Sequence, residues 1–468
     1  MFGLDTDLSV LLVICLLCAC AFEFINGFHD TANAVATVIY TNSLKPTFAV
    51  IWSGFFNFLG VLLGGTAVAM GIMKLIPAGM IFELDVAHNV TLVLSILISA
   101  IIWNLGTWYF GIPCSSSHTL IGAMLGAGLS YTWFMGDGDL ASGVNWSQAL
   151  KVGTSLIVSP GLGFLMSFLL MKLLQKILRK KDALFNEPKK KTSPPWYIRF
   201  ILIITCTLVS FFHGSNDGQK GVGLIMFILL AIVPAKFALD MTESPVKMIK
   251  QLEVVETVIN GANYAKASEK TILAKLECTE QIKGIKSELT GITSLNQVAD
   301  KNRSKIQQQI LKLEKTVSDQ IIKGEVLSAT NEKAVKSSLK DLKETCEHVP
   351  NWVVIIISLS LGIGTMIGWK RIVKTIGEKI GKQHLSYAQG ASAEFVAATT
   401  IGIASATGLP VSTTQVLSSG IAGTMVASGG TNNLQGKTVK NIFVAWLLTL
   451  PVTMFLSGFI FWLVIHFL

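Results

Sequence analysis

Two short polar clusters sit inside stretches that are otherwise apolar. Residues 26–33 read Asn-Gly-Phe-His-Asp-Thr-Ala-Asn, and residues 213–220 read His-Gly-Ser-Asn-Asp-Gly-Gln-Lys. Asp30 and Asp217 are thus ionisable groups embedded in hydrophobic sequence, where a carboxylate is costly unless it lines a pathway or is paired. Asn26, Asn33, Asn216 and Gln219 place amide oxygens beside them, and oxygen-rich surroundings suit hard cations such as Na⁺. A lone carboxylate carries a proton equally well, so the coupled ion stays open between H⁺ and Na⁺. The plainer alternative is a structural ion pair of Asp217 with Lys220.

A second pair of motifs follows later in each half. Gly111-Ile-Pro leads into Ser115-Ser116-Ser117, and Gly408-Leu-Pro leads into Ser412-Thr413-Thr414. Proline disfavours helix before it and suits a first helical turn. A helix starting here offers free N–H groups, a partial positive charge and several hydroxyls, which together suit a tetrahedral oxyanion. In one motif, such residues serve more often as caps or packing; their occurrence at two corresponding places favours an anion site. Neutral donors hold an anion without an arginine clamp, so release stays easy. His29, His118 and His213 fall at these motifs as proton carriers or donors, with structural hydrogen bonding as the alternative. Glu394 is a carboxylate on a small-residue helix, and Asn57 reads as helix-packing glue. No enzyme or resident cofactor is expected: Ser117-His118 with a distant Asp is no triad, and there is no Walker A sequence to drive pumping. No metal site is assigned with certainty.

These residues need elements to hold them. Of 468 residues, 51% are hydrophobic and 14% charged, against roughly 25% charged in soluble domains; mean hydropathy is +0.57. The class is an all-α polytopic membrane protein. Apolar segments fall near 8–42, 48–73, 90–112, 113–134, 149–171, 199–233, 351–369, 386–408, 410–428 and 441–468, and the first and sixth are overlong, as broken helices are. The net charge of +9 sits largely in short loops, where it reports orientation and not nucleic-acid binding. Basic stretches at 172–198 and 370–384 are expected in the cytoplasm. Residues 236–350 carry 18 Lys/Arg and 16 Asp/Glu, with helical spacing in Ile306, Ile310, Leu313, Val317 and Ile321. They predict a helical hairpin outside the membrane, in the periplasm, where pairing of Cys278 with Cys346 is an open question. Cys15-x-x-Cys18, at lipid depth, reads as packing.

Both motif pairs recur in the same order, five spans apart. An odd number of crossings makes the halves inverted-topology repeats: 1–171 as the first, 199–235 with 351–468 as the second, joined by the 172–198 linker and carrying the 236–350 insert. Both termini are then periplasmic, and the N-terminus, with Asp5 and Asp7 and no small-residue cleavage site, does not read as a cleaved signal peptide.

The stretches 27–40 and 213–221, with Ile-Pro-Cys-Ser-Ser-Ser-His-Thr at 112–119 and Leu-Pro-Val-Ser-Thr-Thr-Gln at 409–415, resemble the signatures of the inorganic phosphate transporter (PiT) family, and 54–65, 101–126 and 361–382 resemble its low-affinity bacterial branch in particular. The resemblance implies symport of inorganic phosphate into the cell across a bacterial inner membrane, driven by H⁺ or Na⁺, with phosphate carried free or as a complex with a divalent metal. It implies that Asp30, Asn33, Asn216 and Asp217 line the cation and phosphate sites, that Ser115, Ser116, Ser117, Ser412, Thr413 and Thr414 bind phosphate, and that Glu394 matches a family glutamate. Two departures stand out: His29 occupies a position that is Asn in much of the family, which tilts towards H⁺, and Gln415 replaces a usual histidine. The rival readings are a symporter for another oxyanion such as sulfate, an anion channel, and a membrane-anchored interaction protein. Inorganic phosphate and the lipid bilayer are the expected partners; the oligomeric state is open, a homodimer among the alternatives.

Overall fold

The computed structural model describes residues 2–77, 80, 85–135, 142–178, 183–188, 192–265, 267–378 and 380–467. The basic residues of 179–182 and 189–191 lie outside this set, as does the side chain of Asn33. Contacts divide the chain into two units, one built on Leu229–Val349 and the other on Asp5–Met80, Asp85–Ile228 and Pro350–Leu468.

Among the described residues of the larger unit the named elements are all helices. Its first half contains α1 (Thr6–Asp30), α2 (Ala32–Tyr40), α3 (Pro46–Leu63), α4 (Ala67–Met73), α5 (Val86–Tyr109), α6 (Ser116–Phe134) and α7 (Trp146–Ile177). The second half begins with α8 (Trp196–His213) and α9 (Gln219–Ile232). Among the described residues six helices are long and apolar enough to cross a bilayer: Thr6–Tyr40, Pro46–Leu63, Val86–Tyr109, Trp146–Ile177, Trp196–Ile232 and Gly436–Phe467. Large apolar side chains such as Leu17, Phe48, Leu150, Ile157 and Phe455 point outward, as they do where the surrounding solvent is lipid. The chain is a multi-pass membrane protein.

The two overlong stretches run on as continuous helices of 35 and 37 residues, each disturbed at its polar cluster. In the first, the disturbance is a single residue, Thr31, whose hydroxyl lies 2.9 Å from the Thr365 carbonyl. In the second it is a π-helical turn at Gly214–Gly218. A π turn inserts one extra residue per turn and re-aims the side chains within it, a distortion common at functional sites.

After the smaller unit the second half resumes with α14 (Asn351–Thr365), α15 (Lys370–Glu378), α16 (Tyr387–Ala406), α17 (Thr413–Gly429) and α18 (Gly436–Phe467). Packing exchanges the halves: α6 lies along α18, α17 along α7, α1 along α14 and α3 along α8. The α6–α18 and α17–α7 contacts are backbone-close. A Cβ on Gly126 of α6 would overlap the Met454 carbonyl, and one on Gly423 of α17 would overlap the Phe164 carbonyl, so these positions require glycine. Both α7 and α18 have 32 residues and one internal proline, Pro160 and Pro451. A core including Val35, Leu202, Ile372, Ala397 and Val416 ties α2, α8, α15, α16 and α17 together.

The smaller unit corrects the expected hairpin. It holds four longer helices, α10 (Pro245–Asn260), α11 (Glu269–Leu289), α12 (Asp300–Thr316) and α13 (Ala329–Cys346), packed in a ring with first against last. Ser268 and Ser328 cap the starts of α11 and α13, and turns around Gly261 and Gly291 divide what a hairpin would leave continuous. Ile306, Ile310, Leu313, Val317 and Ile321 are all fully buried in its core. Cys278 and Cys346 lie in that core as free thiols. Burial pushes the Cys278 thiol up to about 12 and raises Cys346 also.

Candidate functional site

Asp30 closes the last turn of α1, and Asp217 sits in the π turn between α8 and α9. Both are buried, at 2% and 0% exposure. The starts of α6 and α17 converge on them. Ser116 donates to Asp30 Oδ2 at 3.2 Å and lies 3.4 Å from Asp217 Oδ2. Thr414 donates to Asp30 Oδ1 at 2.8 Å, and Thr413 to Asp217 Oδ2 at 3.3 Å. Each helix start comes from a different half, and each reaches both carboxylates.

Local sequence makes this convergence. Gly111 and Gly408, each two residues before its proline, hold φ of +65° and +70°, a left-handed conformation that glycine adopts freely. The chain then turns into a helix capped by Ser115 or Ser412, whose hydroxyls accept from the His118 and Gln415 N–H groups at 3.2 Å. These two predicted anion ligands therefore serve as N-caps. Ser117 donates to the Val411 carbonyl at 2.7 Å and accepts from Lys220. Ser116, Thr413 and Thr414 are the hydroxyls turned to the carboxylates.

Lys220 is buried with them. Its ammonium is 2.6 Å from Asp217 Oδ1 and 3.2 Å from the Val411 carbonyl, so the ion pair regarded as the plainer alternative is formed at one oxygen of Asp217. His213 donates through Nδ1 to Asn57 Oδ1 at 2.9 Å, because Asn57 Nδ2 is committed to Thr365 at 2.9 Å. That leaves His213 Nε2 facing Asp217 Oδ2 at 3.5 Å and Asp30 Oδ2 at 3.9 Å. His29 lies 3.0 Å from Asp30 Oδ1 and 3.2 Å from the Thr107 hydroxyl. Asp30, His213 and Asp217 each offer one ligand atom within 4.8 Å of the others. Two carboxylate oxygens and an imidazole nitrogen make a donor set that fits a divalent cation.

Charge decides what the cluster can accept. Two aspartates face one lysine, so with neutral imidazoles the site carries an excess negative charge in low-dielectric surroundings. An anion approaching the two helix starts meets that charge unless a proton or cation arrives with it.

Several predicted residues have other work. Gln219 accepts from the Val68 N–H at 2.8 Å and donates to the Gly64 and Ser215 carbonyls. Asn216 accepts from the Val411 N–H at 3.2 Å and donates to Ser405 and the Leu409 carbonyl. Each amide oxygen accepts a backbone N–H, so both side chains hold backbone in place at the site. His118 turns to its own cap, with Nδ1 2.8 Å from Ser115. Glu394 stands apart with Thr205, whose hydroxyl donates to it at 2.5 Å. Asn26 donates to Glu23 through Nδ2 at 3.1 Å. Glu23 is outside the sequence-predicted set; its signal is that it is the one acid between Asp7 and Asp30.

A buried carboxylate pair facing two helix starts, within a multi-pass helical unit, is the kind of site a membrane transporter builds. The comparisons agree. Residues 26–457 match the model of the phosphate transporter family, and the chain belongs to that family. It is 40% identical to the low-affinity inorganic phosphate transporter PitA of Escherichia coli strain K12, over 100% of this chain and 99% of that one. It is 41% identical to a low-affinity inorganic phosphate transporter of Buchnera aphidicola, over 98% and 97%. A probable low-affinity inorganic phosphate transporter of Bacillus subtilis is 27% identical over 95% of each. Among solved structures, a sodium-dependent phosphate transporter shares the fold, with a TM-score of 0.55 and 22% identity over 98% of this chain and 100% of that one.

Proposed function

We propose that this chain carries inorganic phosphate into a bacterial cell across the inner membrane, as a symporter working by alternating access. The observation that carries the reading is the meeting of the α6 and α17 starts, from opposite halves, on Asp30 and Asp217. Phosphate takes the hydroxyl and N–H donors of Ser116, Ser117, Thr413 and Thr414, with Ser115 and Ser412 holding the helix starts. Asn33 is proposed beside them on family grounds. A cation at Asp30, His213 and Asp217 offsets its charge, and a divalent metal arriving as a phosphate complex suits the same donors. H⁺ is favoured over Na⁺ as the coupled ion, because the amide oxygens of Asn216 and Gln219 are engaged and two histidines adjoin the carboxylates.

The exchange of packing partners between halves supports an inverted repeat of 1–171 with 199–235 and 351–468. In that arrangement 172–198 is a cytoplasmic linker, 236–350 a periplasmic insert, and both termini are periplasmic. Uptake of radiolabelled phosphate into proteoliposomes, with an imposed pH or Na⁺ gradient, tests the reading. Accumulation driven by the pH gradient and outcompeted by phosphate but not by sulfate is the expected result. Uptake indifferent to both gradients refutes symport.

A further inference from the structure

Two helical turns before Asp30, Glu23 has no accessible surface. Its Oε2 accepts from Asn26 Nδ2 at 3.1 Å. Its other oxygen, Oε1, and the amide oxygen of Asn26 are both buried, and neither has a hydrogen-bond partner among the described residues. Gly221 of α9 lies against this carboxyl: a Cβ there would stand 2.6 Å from Glu23 Cδ and 2.7 Å from Oε1. The second half thus leaves open the volume in which the first half places its acid.

Two orphan acceptors on an already bonded pair lack a hydrogen. An ionised carboxylate only accepts, whereas a protonated one gains an O–H donor. A proton on Oε1 turns the pair into an acid–amide couple, with Nδ2–H donating to Oε2 and Oε1–H donating to Oδ1. It also removes an uncompensated charge from a dry site. The titratable groups around Glu23 are Cys20, His29 and Asp30 on its own helix, and His213, Asp217 and Lys220 from the second half. Of the other helices against α1, α14 has no titratable side chain, α5 has only His88 and Tyr109 near its ends, and α2 only Tyr40 at its end. The sole cation among these groups, Lys220, is held by Asp217.

We propose that Glu23, partnered by Asn26, carries the coupled proton. The O–H bond forms with a proton from the outer solution when the site opens outward, persists in the closed state, and breaks when the proton leaves to the cytoplasm with phosphate. This rests on the proton-symport reading above.

Glu23→Gln tests it, because the glutamine amide reproduces the protonated couple permanently. In proteoliposomes of the full chain, phosphate–phosphate counterflow is expected to survive. Accumulation on a one-unit pH gradient is expected to lose the roughly tenfold excess that one coupled proton sustains, and phosphate-driven proton influx is expected to vanish. Wild-type accumulation in Glu23→Gln overturns the assignment. A second measurement needs no variant to fold: wild-type protein labelled with ¹³C at glutamate should keep a protonated-carboxyl infrared band near neutral pH, and its absence also overturns the assignment. Wild-type protein without phosphate counterflow would instead refute the transport reading itself.

Discussion

At the scale of single residues, the site is a balance of buried charge. Asp30→Asn and Asp217→Asn each remove a charge that offsets the coupled cation, so uptake should be lost while the protein still inserts and purifies; wild-type rates in either would remove that residue from the mechanism. Lys220→Met should do more damage to the fold. Taking one partner from a buried pair costs about 3–5 kcal/mol, because Asp217 is left with no cation. The double variant Lys220→Met with Asp217→Asn should recover that stability in thermal unfolding and still fail to transport. Asp30 and Asp217 were legible in the sequence because acids are rare in apolar runs. The roles of Asn216 and Gln219 were not, because an amide oxygen announces no partner: Val411 and Val68 reach them from 195 and 151 residues away. The Asn26–Glu23 pair was not legible either, although its members are three residues apart.

At the scale of elements, the helix starts and the close helix pairs set the geometry. Ser115→Ala or Ser412→Ala removes an N-cap, at about 0.5–2 kcal/mol, and lets one helix start drift from the carboxylates. Phosphate uptake should then show a raised KM with a smaller change in maximal rate. Gly126→Ala puts a methyl group into the Met454 backbone; overpacking of this kind costs about 1–3 kcal/mol, read as a lower unfolding temperature in detergent. The Gly-x-Pro-Ser motifs revealed these helix starts in the sequence, since proline and serine act locally. The span count was less legible. Of the ten apolar segments, those containing α6, α14, α16 and α17 are not among the six helices long and apolar enough to cross alone. Three of them are rich in Gly, Ala, Ser and Thr, and α14 has 15 residues. Such helices bury their polar faces against protein, which hydropathy does not register.

At the scale of the whole molecule, the insert and the membrane unit obey different solvents. The insert's helical spacing was legible, but its division into four helices depended on short capped turns. Its thiols offer a direct check. Burial raises Cys278 to about 12, so near pH 8 the thiol is protonated and shielded, and the reactive thiolate is scarce. Maleimide should leave Cys278 and Cys346 unmodified in the native protein and label both after unfolding, without a reductant. In the membrane unit, the exchanged packing has a consequence for synthesis. The glycine face of α6 is covered by α18, which leaves the ribosome roughly 300 residues later, or ~15–60 s at about 5–20 residues per second. For that interval the newborn first half stands in the bilayer with its tightest seam unsealed. That seam closes only when the 32 residues of α18 arrive.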